Sequence, residues 1–551
     1  MVKLPYSKEI IKHFKNPKNL GRIKNPDAVG EAGNLICISL DTPIETNNTL
    51  IPVKSISERS LVLSHEGVYH PIKALYKRHY EGEVIILKNR LGEVVLTPEH
   101  LVLAKKIPKE VKFLRTENKK KIPSEWCHAA ELKKGDVIVY SIPKEEKDVK
   151  KINIEVEKFK YDFKSKPIPF TIPLNEKFLK LVGYYLAEGH ANTKVTQSFL
   201  QFTLNINEVE IAKEISEIVK EIFGLETKVY HIEEKKTIVV NVYSSLLARF
   251  FEKMFGNNAE VKHLPHFIML LPKEKQKHII YGLWKGDGYV SLKRKNPRAG
   301  FSTVSYQLAH QLKLLLLRQG IIPSLYVEKE KIRKGVHHRK NYRIHIGQKD
   351  SLLKLCRIMG IRWNTEKFSQ RKSWIEGNYL YMPIMKIRKQ NYTGIVYNLE
   401  VEKARSFVTD CATLHNCGDV MKIYLKIKEK NGKNIISDIK GEVFGCVLAV
   451  ANTSMLTTMV KGKSLEDALK IKKEDLIKKL GGREKIPPIK IHCSILALDA
   501  LREAIYNYYE KNRMPIPEDL KKEHERIQNT IKTIEEKHKE FIEFEREALE
   551  K

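Results

Sequence analysis

Cysteine is scarce in this chain: seven among 551 residues, and an odd number. That argues against a disulfide framework and for reduced thiols. No apolar run reaches the roughly 18 residues a membrane-crossing helix needs, so no membrane partner is expected. The opening residues, MVKLPYSKEIIKHFKN, carry charges where a secretory leader needs an apolar stretch, and a cytoplasmic location is expected. Acidic residues are also in short supply, 67 against 99 lysines and arginines. The shortage is uneven. Residues 1–36 and 417–551 together hold 34 basic and 26 acidic side chains, whereas residues 37–416 hold 65 and 41. A polyanion is therefore expected to meet the middle of the chain rather than its ends. A chain of this length is expected to form three or four domains.

What is present is an interruption. Gly33-Asn34-Leu35-Ile36 runs into Cys37, and far downstream His415-Asn416 runs into Cys417-Gly418-Asp419. With residues 37–416 removed, the flanks join as GNLI-CGDVMKIYLKI and read as one continuous domain. The middle opens with CISLDTPI (37–44), apolar and alternating. Short strand patterns follow through GEVIILKNRLGEVVLTPEHLVLA, and the middle closes with GIVYNLEVEKARSFVTDCATLHN (394–416). β segments at both ends of a helical centre predict an all-β domain split by something inserted in it.

CISLDTPI, the TPEH of Thr97–His100 and the closing segment resemble the ends of inteins, whose splicing domain has the Hint fold. The resemblance implies roles. Cys37 is the first nucleophile, converting the Ile36–Cys37 amide to a thioester. Thr97 and His100 supply hydrogen bonds and a proton to the departing amine. Cys417 takes over residues 1–36, Asn416 cyclises to release the insert, and His415 assists that step. No cofactor is required. Two positions depart from the family: Asn398 stands where Asp is common, and Arg405 where His is common. Cys411 is an extra thiol near the junction, expected to be buried in a strand.

Between about 150 and 370 the pattern changes to longer helical segments. NEKFLKLVGYYLAEGHA (175–191) and KQKHIIYGLWKGDGYV (275–290) form a weak internal repeat. LVGYYLAEG aligns with IYGLWKGDG, so Gly183 matches Gly282 and Glu188 matches Asp287. The glycines would let two helices approach closely. The pair resembles the LAGLIDADG (dodecapeptide) homing endonucleases. The resemblance implies an α/β domain of αββαββα pseudo-repeats, a saddle on double-stranded DNA, and Mg²⁺ between Glu188 and Asp287. KRKNPR (293–298) and KIRKGVHHRK (331–340) are candidate DNA contacts. No catalytic lysine is assigned.

The joined flanks predict an α+β layout, a hairpin sheet with helices on one face. They retain Cys417, Cys446 and Cys493, with Asp419 and His492 beside them. Soft thiolates suit iron–sulfur clusters or zinc. The YS…HFxNPxN start, GN…CGD, FGC (444–446), KGKSLEDA (461–468) and PPIKIHCS (487–494) resemble the IscU/NifU-type cluster scaffolds. The resemblance implies that Cys417, Asp419, Cys446, His492 and Cys493 hold iron or a 2Fe–2S cluster, with zinc as a stand-in. It also implies a cysteine desulfurase, cluster acceptors and an Hsp70-type chaperone as partners. The charged segment beyond 510 is predicted to be helical.

The expected organisation is a start of the scaffold (1–36), two Hint parts (37–150 and 371–416), the endonuclease (151–370), the rest of the scaffold (417–510) and a charged tail (511–551). The expected activity is self-splicing, with DNA cleavage by the excised insert. The alternative is a non-splicing, multidomain DNA-binding nuclease with a metal-binding module.

Overall fold

In VMKIYLKIKEK, apolar and charged residues alternate, as a strand with one buried face requires. This strand, Val420–Lys430, is the centre of a three-stranded antiparallel sheet. On one side it pairs with Lys433–Phe444. On the other it pairs with Ala28–Gly33, in register from Ala28 opposite Leu425 to Gly33 opposite Val420. The computed structural model describes residues 7–33, 37–47, 49–57, 59–108, 116–156, 167–194, 197–293, 296–333, 336–364, 372–415, 420–444, 447–486 and 492–527. Helices Lys8–Lys15, Val447–Val460 and His492–Lys511 pack with this sheet around Ile10, Met421, Ile423, Leu456 and Leu501. Ser7 caps the first helix by accepting from the Ile10 amide at 3.1 Å. A Cβ at Gly30 would fall 2.1 Å from the Ala504 nitrogen, so the long helix crosses this strand at touching distance.

The charged segment that begins at Pro517 is helical from 518 to 527 and does not continue the helix before it. His492–Lys511 ends, Arg513 takes a left-handed φ of 52°, and helix resumes only at 518. Pro515 and Pro517, which lack an amide proton, explain the break. Residues 528–551 lie outside those described.

The ends of the insert form two seven-stranded sheets. Strands Tyr69–Lys88 and Lys386–Val401 pair antiparallel along the full length of the latter, tying its two halves together. Ile38 bridges Tyr397 and Leu96 in the same sheet. In the second sheet, Leu101–Lys105 lies between Val137–Ser141 and Thr413–His415.

The centre repeats one topology. Helix Glu176–Glu188 is followed by a sheet of Gly189–Lys194, Gln197–Asn205, Lys228–Ile232 and Thr237–Val242, ordered first, second, fourth, third. Helix Lys273–Gly286 is followed by Tyr289–Ser291, Arg298–Thr303, Ser324–Glu328 and Asn341–Ile346, in the same spatial order. Each copy carries a helix between its second and third strands, Val209–Phe223 and Tyr306–Arg318. The expected αββαββα repeat is what the backbone draws.

Candidate functional site

The turn Thr97-Pro98-Glu99-His100 closes with the His100 amide on the Thr97 carbonyl at 3.0 Å. Proline in its second position presets the bend. The turn grips Cys37, which is buried. The Cys37 amide donates to Thr97 Oγ1 at 2.9 Å. The Cys37 carbonyl accepts from the Thr97 amide at 3.0 Å and from His100 Nδ1 at 3.1 Å. A carbonyl only accepts, so Nδ1 carries the ring proton. Burial lowers the His100 pKa to about 3, opposed by the bond to Cys37 and helped by nearby His415. The ring is neutral, and Nε2 has no hydrogen-bond partner among the described residues. The sequence pointed to His100 as a proton donor to the departing amine. Thr97 lies at that amide, and His100 lies on the Cys37 carbonyl beside it.

His415 ends the strand Thr413–His415, opposite Ser406. Its ring meets Trp126 edge-on at 4.8 Å, and Trp126 meets His65 at 5.9 Å. His65 Nδ1 lies 2.7 Å from Ser406 Oγ. Trp126, His65 and Ser406 were not anticipated. The one available signal was that Trp126 is among only four tryptophans. Cys411 is buried, but in the turn between two strands rather than in a strand. Ile36, Asn416, Cys417, Asp419 and Cys446 lie outside the described residues.

The two motif helices touch at their glycines. A Cβ on Gly183 would lie 2.7 Å from Gly282 Cα, and one on Gly282 would lie 2.8 Å from Gly183 Cα. Glu188 ends the first helix and Asp287 caps the second. The helix dipole opposes an acid at a C-terminus, so neither carboxylate is placed there for stability. Burial, then Asp287, raises the Glu188 pKa far above the carboxylate range. Asp287 is also raised, by burial. A side-chain hydrogen bond joins the pair. Buried Lys262 donates to the Tyr185 carbonyl at 2.9 Å, and burial lowers its pKa to about 8 against the pull of both acids. Two close carboxyls with raised pKa values fit a divalent cation, whose charge would let both ionise. Lys262 is a buried lysine beside the two acids that sequence reasoning did not single out. It sits 25 residues before Asp287 in chain order, with no local pattern to mark it.

In the third region, Cys493 is buried at the start of helix His492–Lys511. Val420 pairs with Phe444 at one end of the hairpin; in sequence Cys417 and Asp419 precede Val420 and Cys446 follows Phe444. No cluster of three or more metal-ligating side chains occurs among the described residues.

Comparison with known proteins separates the ends of the chain from its middle, with the match to the ends running past Cys37 and beginning again before Asn416. Residues 5–51 and 398–515 match the NifU-like N-terminal domain family, and residues 274–360 match the LAGLIDADG-like domain family. The chain carries a NifU-like domain in two pieces, with a LAGLIDADG-like domain between them. An uncharacterized protein of Methanocaldococcus jannaschii is 34% identical over 445 residues, covering 75% of this chain and 54% of that protein. The DNA helicase Hel308 of Thermococcus kodakarensis is 25% identical over 405 residues, covering 68% and 35%. The scaffold protein IscU 1 of Archaeoglobus fulgidus is 51% identical over 96 residues, covering 17% and 58%. The chain thus spans between about a third and three-fifths of these relatives. The structure of I-DmoI with DNA and Mn is 16% identical, covering 34% of this chain and 99% of that one, with a TM-score of 0.27. No helix among the described residues is long and apolar enough to cross a membrane.

Proposed function

We propose that this chain is a self-splicing precursor. It excises residues 37–416 and joins Ile36 to Cys417, giving a scaffold for iron–sulfur cluster assembly. The excised insert is a site-specific DNA endonuclease. The observation that carries this reading is the pairing of Gly33 with Val420 across the whole insert. Once Ile36 is bonded to Cys417, six residues, Asn34 to Ile36 and Cys417 to Asp419, connect the two strands. That is an ordinary length for a short connection. The host sheet is already assembled in the precursor, so ligation needs no refolding.

Thr97 holds the nitrogen of the bond that breaks when the Cys37 thiol attacks the Ile36 carbonyl, and His100 fixes the peptide on its other side. Trp126 and Ser406 orient His415 for the Asn416 step. Cys417 attacks the thioester, Asn416 closes on its own carbonyl, and a sulfur-to-nitrogen shift leaves an ordinary peptide bond. Hel308, a helicase, aligns over 405 residues, more than the 171 outside the insert. A segment shared with a protein of another printed activity supports an insert that moves between hosts.

In the excised insert, Glu188 and Asp287 would hold Mg²⁺, which supplies Lewis acidity to the phosphate and a more acidic water. Lys262, with its lowered pKa, can exchange a proton at that site. The basic excess of the insert serves its DNA partner. In the ligated product, Cys417, Asp419, Cys446, His492 and Cys493 would receive iron and sulfur as cargo. A cysteine desulfurase would supply the sulfur and acceptor proteins would take the cluster. Intact mass after expression tests the reading. Species of 171 and 380 residues are expected, whereas a single 63.9 kDa species would overturn it.

A further inference from the structure

The helix Tyr306–Arg318 belongs to the second LAGLIDADG-like repeat, yet it is buried from Leu308 to Leu317. Two of its polar side chains, three residues apart and so on neighbouring positions of one face, are wholly enclosed. His310 Nε2 contacts the Glu45 carboxylate, and both are fully buried. Lys313 Nζ donates to the Asp410 carbonyl at 2.8 Å and lies 4.9 Å from the centre of the Tyr140 ring. Glu45 lies in the strand Pro43–Thr46, eight residues after Cys37. Asp410 lies six residues before Asn416. One helix of the nuclease thus grips the segment after the first junction and the segment before the last.

Asp410 is at the tip of the hairpin formed by Ser406–Val408 and Thr413–His415. Thr409 Oγ1 accepts from the Cys411 and Ala412 amides at 3.3 and 3.1 Å, and Asn89 donates to the Cys411 carbonyl at 2.9 Å. Lys313 completes the grip from the third side. Thr409 also bridges Ile44, the neighbour of Glu45. A buried ammonium without its acceptor is strongly unfavourable, so the lysine holds the tip in one place. The hairpin delivers His415 to Trp126.

We infer that Lys313, a side chain of the endonuclease, is a positioning residue for the splicing reaction, acting on the Asn416 half through the hairpin tip. This rests on the splicing reading above. The nuclease is then part of the splicing machinery rather than its passenger. Cys37, Thr97 and His100 are not among the groups Lys313 touches, which makes the effect one-sided.

The test uses the full chain with Lys313→Met. Cleavage after Asn416 is followed in a Cys37→Ala background. Thiol-induced cleavage before Cys37 is followed in an Asn416→Ala background. The Asn416 reaction is expected to slow by about tenfold or more, with thiol cleavage unchanged, and Lys313→Arg is expected to restore most of the rate. Gly92→Ala gives a second reading with Lys313 intact, because its Cβ would fall 2.2 Å from Asp410 Oδ2, so the Asp410 side chain at the same tip must shift. The same split is expected there. An unchanged Asn416 rate in Lys313→Met would overturn the inference. So would an equal fall in both reactions together with a lower melting temperature, which marks a merely structural role. If neither parent background cleaves, the splicing reading itself falls, and this inference with it.

Discussion

Where the insert enters the NifU-like domain, each side keeps its own core. Where the LAGLIDADG-like domain enters the β-rich unit, a single core runs through both. The first junction separates a core containing Ile10, Ile423 and Leu501 from one containing Ile38, Leu186, Leu312 and Leu414. At the second, Leu312 and Leu283 share a continuous cluster with Leu87 and Val102. The second seam is also polar and buried: His310 meets Glu45, and Lys313 meets Asp410. Backbone bonds cross it too, from Lys147 to the Leu270 carbonyl at 2.7 Å and from Leu325 to the Arg90 carbonyl at 2.8 Å. A unit that must leave its host gains from a core of its own. A unit that travels with its neighbour can fuse with it, and removing it would strand buried charges.

The sharpest way to break this comparison is deletion. A directly joined chain of residues 1–36 and 417–551 is expected to fold as a soluble unit, with the melting temperature its transition shows in the full chain. The insert without residues 151–370 is expected to lose cooperative unfolding, because Glu45 and Asp410 lose their buried partners. Calorimetry of both reads the result, and a cooperative transition in the shortened insert would refute the fused core. A smaller change acts inside the fused core. Glu188→Gln is expected to lower DNA cleavage by about 100-fold or more while raising the stability of the metal-free insert by about 1 kcal/mol or more. The sign follows from the raised pKa of Glu188 in the fold. A carboxyl favoured in its protonated form supports folding below its unfolded pKa and loses that support as pH rises through the folded value. The gain of the glutamine variant should therefore widen as pH is raised from the ordinary carboxylate range. A variant no more stable than the parent at any pH would contradict it.

Much of this was legible in the sequence because it is written in local pattern. Gly183 and Gly282 sit at matching places in two short helices, and the structure brings them into contact. The alternation in VMKIYLKIKEK marks its strand, and the TPEH turn marks the grip on Cys37. The rest depends on long-range approach. Trp126 reaches His415 across 289 residues of chain, and Lys313 reaches Asp410 across 97. No periodicity records such meetings. His100 shows a third case: its presence at the site was legible, but its neutral state follows from burial, which a four-residue motif does not carry.

The most local expected effect tests the host side. In Gly30→Ala the new Cβ would lie 2.1 Å from the Ala504 nitrogen and 2.3 Å from the Ala500 oxygen. Both are backbone atoms of helix His492–Lys511, so no side-chain rotation relieves the clash, and strand or helix must move. Overpacking of this kind costs about 1–3 kcal/mol. The loss should appear in the NifU-like transition alone, leaving the transition of the insert unchanged. Gly30 is paired with Ile423, so the residue that suffers belongs to the sheet that spans the interruption. The same loss is therefore expected in the full chain and in the directly joined chain of residues 1–36 and 417–551. A fall in both transitions of the precursor would mean that the cores are coupled, and the contrast between the two junctions would not stand.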